Sequence, residues 1–292
     1  MSVAGYAAPE TVEDAVSALA GAWPDARILA GGTDLIVQMR GGNVPAGLVI
    51  DIKKIAETRS ISEAPDAYVV GAAVTGAEIN AHPGLKADWP GLCEAIDLIG
   101  SQQIQGRASP GGNLCNASPA ADSVPALIAA GASCTIAGPR GTRDIPVEDV
   151  VTGPGKTCLA PGEFVVSFTL PKPPARTGDA YLRLTPRSEM DIAVVGAGVS
   201  LTLAEDGTCT HARVALGAVA PRPLLVSEAA AAIIGTSLDA EALDSMAAAA
   251  SAACQPVDDK RGTVDYRRRV AGVLAKRAAL KAKERAEARI GS

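Results

Sequence analysis

The sequence predicts an α+β protein of two domains, and three observations support this fold class. Segments with helical periodicity and segments with strand periodicity alternate through the first part of the chain. A stretch rich in proline and glycine, residues 171–179, then resists regular structure. Beyond it, three strand-like segments in succession are followed by helices. We therefore predict a first domain over residues 1–175 and a second over residues 179–292.

The composition predicts a cytoplasmic protein that does not bind nucleic acid. Hydrophobic residues make up 48% of the chain but aromatic residues only 3%, so the expected core consists of small aliphatic side chains. The formal net charge of −5 gives no electrostatic footprint for nucleic acid or an anionic membrane. The N-terminus lacks the pattern of a signal peptide. No apolar run approaches the ~18 residues that a transmembrane helix needs.

The cysteines and histidines are spaced too widely to predict a metal site. Zinc and iron–sulfur sites usually take a pair of ligands from one tight turn, and no C-x-x-C pair occurs here. His82 and His211 also lack a partner at metal-ligand spacing. We expect reduced thiols and no metal bound by this chain. The six cysteines are Cys93, Cys115, Cys134, Cys158, Cys209 and Cys254.

In the first domain, residues 11–23 are predicted to form a helix, because Thr11 suits an N-cap and apolar residues recur on one face. Strands are predicted at 26–32, 47–55, 67–74, 133–138 and 163–171. Further helices are predicted at 76–83, 91–100 and 120–130. The polar, glycine-rich segment before residue 120 is predicted to be a loop.

In the second domain, strands are predicted at 180–186, 191–207 and 209–220. A turn at 205–207 joins the second and third of them. Helices are predicted at 224–235, 239–254 and 263–289. The last helix is basic, and its apolar stripe is expected to close the small domain. That stripe consists of Val270, Val273, Leu274 and Leu280.

Two pairs of adjacent glycines are candidates for a ligand site: Gly31 with Gly32, and Gly111 with Gly112. Glycine lets the backbone approach a bulky anion, and consecutive N–H groups in such turns can bind anions. Neither pair fits G-x-G-x-x-G or G-x-x-x-x-G-K-[ST], which disfavours a Rossmann or P-loop site. The residues alone predict a phosphate-bearing ligand that spans two loops. The small polar residues beside the glycines are Thr33, Asp34, Ser109 and Asn113.

Asp122 begins the predicted helix that follows the second glycine pair. An aspartate at a helix start usually caps the helix. Its carboxylate can also accept hydrogen bonds from ribityl or ribose hydroxyls, and the sequence leaves both roles open.

Three stretches together resemble one protein family: AGGTDLIVQMR at 30–40, SPGGNLCNASPAADSVPALIAAGA at 109–132 and YLRLTPRSEMDIAVVGAGVSL at 181–201. In order and spacing they are similar to the signatures of the FAD-binding medium subunits of molybdenum hydroxylases. This family includes the carbon monoxide dehydrogenase medium chain and the flavin domain of xanthine dehydrogenase. The second stretch is the most specific, because G-G-N, A-S-P and D stand at fixed offsets. The resemblance extends from about residue 5 to the C-terminus.

The resemblance implies a more specific fold. The first domain would be a PCMH (vanillyl-alcohol-oxidase)-type FAD-binding domain, in which two α+β subdomains clasp the flavin. The second would be a small C-terminal domain with a three-stranded antiparallel sheet and a helix bundle. The predicted order of strands and then helices in the second domain agrees with this expectation.

The resemblance also implies a set of FAD-binding residues. Residues 29–35 would wrap the pyrophosphate and ribityl region, and the second glycine pair would complete the cradle. Asp122 would bind hydroxyls, Ile99 would lie near the flavin, and the Val165 backbone would meet the adenine region. Arg183 would lie near the polar edge of the flavin, and Arg187 and Asp191 match the R-x-x-x-D that follows. The full set is Leu29, Ala30, Gly31, Gly32, Thr33, Asp34, Leu35, Ile99, Ser109, Gly111, Gly112, Asn113, Asp122, Val165 and Arg183.

Three positions depart from the usual family pattern. Pro110 replaces a β-branched residue and removes one backbone N–H donor. Arg183 stands where the family commonly has lysine, which keeps the charge and changes the donor geometry. Ile99 replaces an aromatic residue and so removes any stacking there. None of these changes removes the glycines or Asp122.

The function that the resemblance implies is that of an electron-transfer subunit. A large partner subunit would carry molybdenum on molybdopterin cytosine dinucleotide and would bind the organic substrate. A small subunit would carry two [2Fe–2S] clusters, and FAD on this chain would pass electrons to an external acceptor such as NAD⁺, a quinone or O₂. A dimer of heterotrimers is expected, and no residue of this chain need act as an acid, base or nucleophile.

Two alternatives remain open at this point. The chain could be a stand-alone FAD-dependent oxidoreductase of the same flavin fold that acts directly on a small molecule. It could also be a binding or scaffold protein that has lost its flavin, although the intact glycines and Asp122 disfavour this. Each bound-residue assignment also has a structural alternative, such as a core role for Val165 or an ion pair between Arg187 and Asp191.

Overall fold

The N-terminal part of the chain forms a three-stranded parallel sheet of order β1-β3-β2. The computed structural model describes residues 5–44, 47–188 and 190–289. Because the strands are parallel, their carboxyl ends lie at one edge of the sheet, and the first glycine pair follows β2 at that edge. The elements are β1 (Gly5–Ala7), α1 (Val12–Gly21), β2 (Ala26–Leu29), α2 (Leu35–Arg40) and β3 (Leu48–Asp51).

A five-stranded antiparallel sheet of order β4-β5-β10-β6-β7 forms the centre of the first domain. Helices cover it and bury a core that contains Phe168, Leu127 and Ile128. The strands are β4 (Ile61–Glu63), β5 (Ala67–Gly71), β6 (Ser133–Gly138), β7 (Gly141–Pro146) and β10 (Phe164–Pro171), with the small hairpin β8 (Val151–Gly153) and β9 (Lys156–Thr157). The helices are α3 (Ala56–Arg59), α4 (Gly76–Ala81), α5 (Pro83–Asp88), α6 (Pro90–Asp97), α7 (Gln102–Gln105), α8 (Pro110–Cys115) and α9 (Ser123–Ala129).

The loop prediction before residue 120 was wrong in part, because α7 and α8 form there. The Ser109 hydroxyl accepts a hydrogen bond from the Gly112 N–H at 3.2 Å and caps α8. Pro110 occupies the first helical position, where the missing N–H costs no intrahelical bond. The second glycine pair therefore lies in the first turn of a short helix and not in an open turn.

The second domain is an antiparallel sheet covered by three helices. Its sheet has the order β11-β12-β13-β14, so a fourth short strand joins the three that the sequence predicts. That strand was predicted as the start of a helix. The elements are β11 (Thr177–Leu184), β12 (Val195–Leu203), β13 (Cys209–Gly217), β14 (Leu224–Leu225), α10 (Ser227–Ala231), α11 (Ala240–Ala252) and α12 (Val264–Ala288).

The buried face of α12 agrees with the predicted stripe only in part, because Leu274 is buried and Val270 packs against the core but the other two residues do not. Val273 and Leu280 are 41% and 44% exposed, and an alanine stripe faces the sheet instead. The helix lies so close to β11 that a Cβ on Gly178 would be 2.1 Å from the Ala282 carbonyl oxygen. Only small side chains fit such a contact. The buried stripe is Ala271, Ala275, Ala278, Ala282 and Ala286.

None of the helices in the described ranges, α12 included, combines the length and apolar character that a bilayer crossing requires. In α12, charged residues occur along the whole length of the 25-residue helix.

Helices α6 and α9 of the first domain pack against the sheet and last helix of the second. Glu94 of α6 accepts from Arg285 Nη1 at 3.1 Å. The Ser200 hydroxyl of β12 donates to the Ala129 carbonyl at 2.6 Å, and Arg213 Nε donates to the Ile128 carbonyl at 2.8 Å. The two domains therefore share a polar interface as well as an apolar one.

Asp179 is a buried carboxylate within this interface. It is 4% exposed, and its Oδ1 has no hydrogen-bond partner among the described residues. A Cβ on Gly91 would be 2.4 Å from Asp179 Oδ2, so α6 lies directly on the carboxylate. Burial raises the pKa of Asp179 from 3.8 to about 7.

We predict that Asp179→Asn stabilises the protein above pH 7. Between about pH 4 and pH 7 the folded protein keeps a proton that the unfolded chain releases, so the contribution of Asp179 to stability falls as the pH rises through that window. The asparagine removes this cost, which reaches up to about 4 kcal/mol above pH 7. Thermal unfolding at pH 4 and pH 8 measures the difference.

The matched control is Asp66→Asn at an exposed aspartate. It should leave the melting temperature unchanged at both pH values. An equal gain for Asp179→Asn at pH 4 and pH 8 would contradict the titration argument.

Candidate functional site

The two glycine segments lie against each other in the structure. A Cβ on Gly31 would be 2.0 Å from the Arg107 carbonyl oxygen, so the turn after β2 touches the chain that enters α8. A Cβ on Gly111 would be 2.5 Å from the Ala72 carbonyl oxygen, and the Gly111 N–H donates to that oxygen at 3.0 Å. Both close approaches require glycine. The first contact brings the turn after β2 to the residues just before α8, and the second joins α8 to the residue that follows β5.

The turn after β2 presents a row of available backbone donors. The N–H groups of Gly31, Gly32, Thr33, Asp34 and Leu35 donate to no acceptor within the described residues. Gly32 has a φ of +81°, which bends the chain so that successive amides can converge. The Asp34 side chain makes no capping bond to α2. Such a row can bind an anion, and it lies where the resemblance places a pyrophosphate.

The amides of the second segment are already engaged. The Gly112 N–H donates to the Ser109 hydroxyl, and the Asn113 N–H donates to the Ser109 carbonyl at 2.9 Å. Any contribution of this segment to the cradle would therefore come from groups other than these amides. The Asn113 side chain offers donors instead: its Oδ1 accepts from the Ser123 hydroxyl at 2.7 Å, while its Nδ2 bonds no described residue.

Asp122 forms a buried cluster with two residues of β11. Its Oδ1 accepts from the Tyr181 hydroxyl at 2.8 Å, and its Oδ2 accepts from Arg183 Nη1 at 2.8 Å. The Arg183 and Asp122 side chains are only 3% and 9% exposed. Burial raises the pKa of Asp122, and the Arg183 charge and the Tyr181 hydrogen bond oppose that rise. Asp122 makes no side-chain cap of α9, so the capping alternative is not what the structure has.

The sequence of the second domain explains how this cluster forms. Tyr181 and Arg183 are two residues apart on β11 and so point to the same face. Gly196 lies opposite Arg183 on β12, and a Cβ there would be 2.4 Å from the Tyr181 hydroxyl oxygen. The missing side chain leaves room for that hydroxyl. Tyr181 was missed by the sequence analysis, although its spacing from Arg183 was the available signal.

Arg183 connects the Asp122 cluster to the segment around Ile99, which is predicted to lie near the flavin. Its Nη1 also donates to the Leu98 carbonyl at 2.8 Å, directly before Ile99. Its Nε and Nη2 bind no described residue, so these donors remain for a ligand. Ile99 and Ser109 line one small, open depression. The other residues that line it are Gly76, Ile96, Gln105, Ala108 and Pro110.

Several other predicted residues have structural contacts of their own. Val165 is 3% exposed on β10 and packs in the central core, so its side chain has a structural role. Leu29 lies beside Gly32, where its Cδ1 would be 2.9 Å from a glycine Cβ. Arg187 and Asp191 form an ion pair at 3.6 Å, and Arg261 shares the same carboxylate at 3.6 Å.

The described residues of the site supply hydrogen-bond donors for a ligand. The described residues bring together no set of three histidine, cysteine, aspartate or glutamate side chains that could hold a metal ion. Free backbone amides, the Asn113 amide and the Arg183 guanidinium are donors that suit phosphate and carbonyl oxygens. The arrangement can therefore hold an extended, anionic, hydroxyl-bearing ligand.

Comparison with protein families accounts for both domains. Residues 2–173 match the family described as FAD binding domain in molybdopterin dehydrogenase. Residues 180–282 match the CO dehydrogenase flavoprotein C-terminal domain. Together the two matches cover most of the chain.

Curated relatives match over nearly their full length. The chain is 36% identical to the carbon monoxide dehydrogenase medium chain of Afipia carboxidovorans, with 97% of each protein covered. It is 30% identical to the xanthine dehydrogenase FAD-binding subunit of Escherichia coli, with 94% of each covered.

Solved structures show the same fold. A chain of the reconstituted CO dehydrogenase from Oligotropha carboxidovorans superposes with a TM-score of 0.93 at 34% identity, covering 96% of this chain and 98% of that one. A chain of quinoline 2-oxidoreductase from Pseudomonas putida gives a TM-score of 0.89 at 29% identity, with 97% of each chain covered. These matches confirm the predicted fold class and family resemblance.

We predict that Gly31→Ala destabilises the protein by about 2 kcal/mol and lowers its flavin content. The new methyl group would overlap the Arg107 carbonyl and separate the two glycine segments. Gly106→Ala is the control, because its Cβ would meet its nearest atom at an ordinary 3.5 Å. Chemical unfolding and flavin absorbance measure both effects. Equal stability of the two variants would contradict the close approach.

We predict that Tyr181→Phe destabilises the protein by about 1–2 kcal/mol. The substitution leaves Asp122 Oδ1 buried without its donor. Tyr266→Phe removes a hydroxyl from a tyrosine that is 47% exposed and should have no effect. Urea unfolding of the two variants gives the comparison, and a neutral Tyr181→Phe would mean that another donor replaces the hydroxyl.

Proposed function

The chain belongs to the family of FAD-binding medium subunits of molybdenum hydroxylases, and we propose that it binds FAD at the Gly31–Leu35 turn and relays electrons within a heterotrimeric complex. Its relatives are subunits of dehydrogenases, so the chain is an oxidoreductase subunit with an FAD-binding domain. The observation that carries the proposed site is the row of five available amides beside the second glycine segment.

The residues present fit FAD. The free amides at 31–35 would hold the diphosphate, for which neutral N–H donors on a tight turn are suited. The Asn113 amide and the donors left on Arg183 would hold hydroxyl or carbonyl oxygens of the ribityl chain and flavin. Asp122 would hold Arg183 in position, and a remaining lone pair of its carboxylate would accept a hydrogen bond from a hydroxyl of the cofactor. Ile99 would contact the flavin at the depression that it shares with Ser109.

Bound FAD would supply the conversion between one-electron and two-electron transfer. The chain's own residues would bind the cofactor, orient it and set the charge around it. Arg183 is held in place by Asp122 and the Leu98 carbonyl, so its positive charge has a fixed position. Hydrogen bonds from a fixed cation favour electron density on the group that they contact, which is how this chain would adjust a redox potential.

We propose that the partners are a large subunit and a small subunit. The large subunit would carry molybdenum on molybdopterin cytosine dinucleotide, and the small one two [2Fe–2S] clusters. The chain, with FAD held at its site, would relay electrons from these clusters to NAD⁺, a quinone or O₂, in a dimer of heterotrimers in the cytoplasm. The relatives' description as medium chains or FAD-binding subunits supports this assembly over a stand-alone oxidoreductase.

Purification of the tagged full chain from its native cells tests the proposal. We expect a yellow complex that contains FAD, molybdenum and iron together with one larger and one smaller polypeptide. Reducing substrate should bleach the flavin in the complex and leave the flavin of the isolated chain unchanged. A chain that purifies alone and oxidises a small molecule by itself would support the stand-alone alternative, and a colourless chain that binds no added FAD would overturn both.

A further inference from the structure

Lys53 places an ammonium group beside the Gly31–Leu35 turn. It lies in the single helical turn after β3, at residues Ile52–Lys54. Its Nζ donates to the Ala30 carbonyl at 2.9 Å and to Asp51 Oδ1 at 2.7 Å. The Lys53 side chain is 27% exposed, so the ammonium is half-buried and still reachable from solvent.

The parallel sheet explains why this lysine meets the turn. Leu29 and Asp51 are paired in register at the carboxyl ends of β2 and β3. Ala30 and Lys53 follow these two residues and therefore extend from the same edge of the sheet. Ligands of open parallel sheets bind at that edge. The third N–H of the ammonium has no acceptor among the described residues.

The surroundings hold the ammonium in position. Asp51 receives the Lys53 backbone N–H at 3.0 Å, and its Oδ2 accepts from the Tyr6 hydroxyl at 2.9 Å. Burial alone would raise the pKa of Asp51, but the hydrogen bonds from Lys53 and Tyr6 hold it below its usual value. Asp51 is therefore an anion that anchors Lys53 at the turn.

We propose that Lys53 binds the diphosphate of the dinucleotide cofactor directly, as the cation that completes the row of amides at 31–35. This inference rests on the proposed FAD site. Neutral amides orient a diphosphate, while a cation within reach supplies charge that the amides lack. The neighbouring Lys54 cannot take this role, because it is 62% exposed and faces Glu10 at 3.9 Å. The sequence analysis gave no role to Lys53.

Titration of the full chain, freed of its flavin, with FAD tests the inference. We expect Lys53→Gln to weaken FAD binding about tenfold, and Lys53→Arg to retain most of the affinity. Lys54→Gln is the matched control, one residue away and of equal charge change, and should bind as the wild type does. Flavin fluorescence gives the dissociation constant at several salt concentrations, and the melting temperature of the flavin-free variants reports their folding.

The salt dependence separates a direct contact from a structural one. If Lys53 contacts the phosphate, FAD affinity should depend less on salt in Lys53→Gln than in the wild type. The reason is that dissolved salt screens ion pairs, and the variant has one ion pair fewer with FAD. Unchanged FAD affinity in Lys53→Gln would overturn the inference. Weaker FAD affinity with the wild-type salt dependence would also overturn it, and would mean that Lys53 only stabilises the turn through the Ala30 carbonyl. Lys53→Met, of similar length, replaces the glutamine variant if that one does not fold. Failure of the wild-type chain to bind FAD would instead refute the proposed function.

Discussion

The contact between the Gly31 backbone and the Arg107 carbonyl fixes the geometry of the site. It holds the end of a parallel sheet against the start of α8, two parts of the chain that are far apart in sequence. No side chain fits between them, so the position requires glycine. Because this contact consumes no N–H group of the turn, the amides at 31–35 remain available. The close packing of Gly31 thus leaves the backbone N–H groups of the turn free to bind a ligand.

The buried ion pair of Asp122 and Arg183 extends this arrangement into the second domain. An ion pair removed from water gains little stability by itself, because both groups lose hydration. Here each partner makes a further hydrogen bond. Asp122 accepts one from the Tyr181 hydroxyl, and Arg183 donates one to the Leu98 carbonyl. The result is a charged group with a fixed direction, and such fixed groups are what a cofactor site needs.

Much of the fold and the glycine turns of the candidate site could be predicted from local patterns in the sequence. Strand β11, the hairpin that follows it and the glycine pairs all have residue signatures that depend on near neighbours. The alanine face of α12 could not be predicted, because valine and leucine carry the stronger hydrophobic signal and the deciding neighbour is Gly178 on another element. The roles of Tyr181 and Lys53 likewise could not be predicted, because each depends on a residue distant in sequence. Strand pairing brings Gly196 close to Tyr181 and Ala30 close to Lys53.

The link between Asp122 and β11 has a consequence for how the protein matures. The residues up to Asp122 leave the ribosome well before Tyr181 and Arg183. A nascent first domain thus lacks two of the groups that hold Asp122, and this buried cluster is complete only after β11 and β12 have paired. At the proposed site, cofactor loading would therefore follow synthesis of the second domain, and an incomplete chain that ends before β11 would bind flavin poorly.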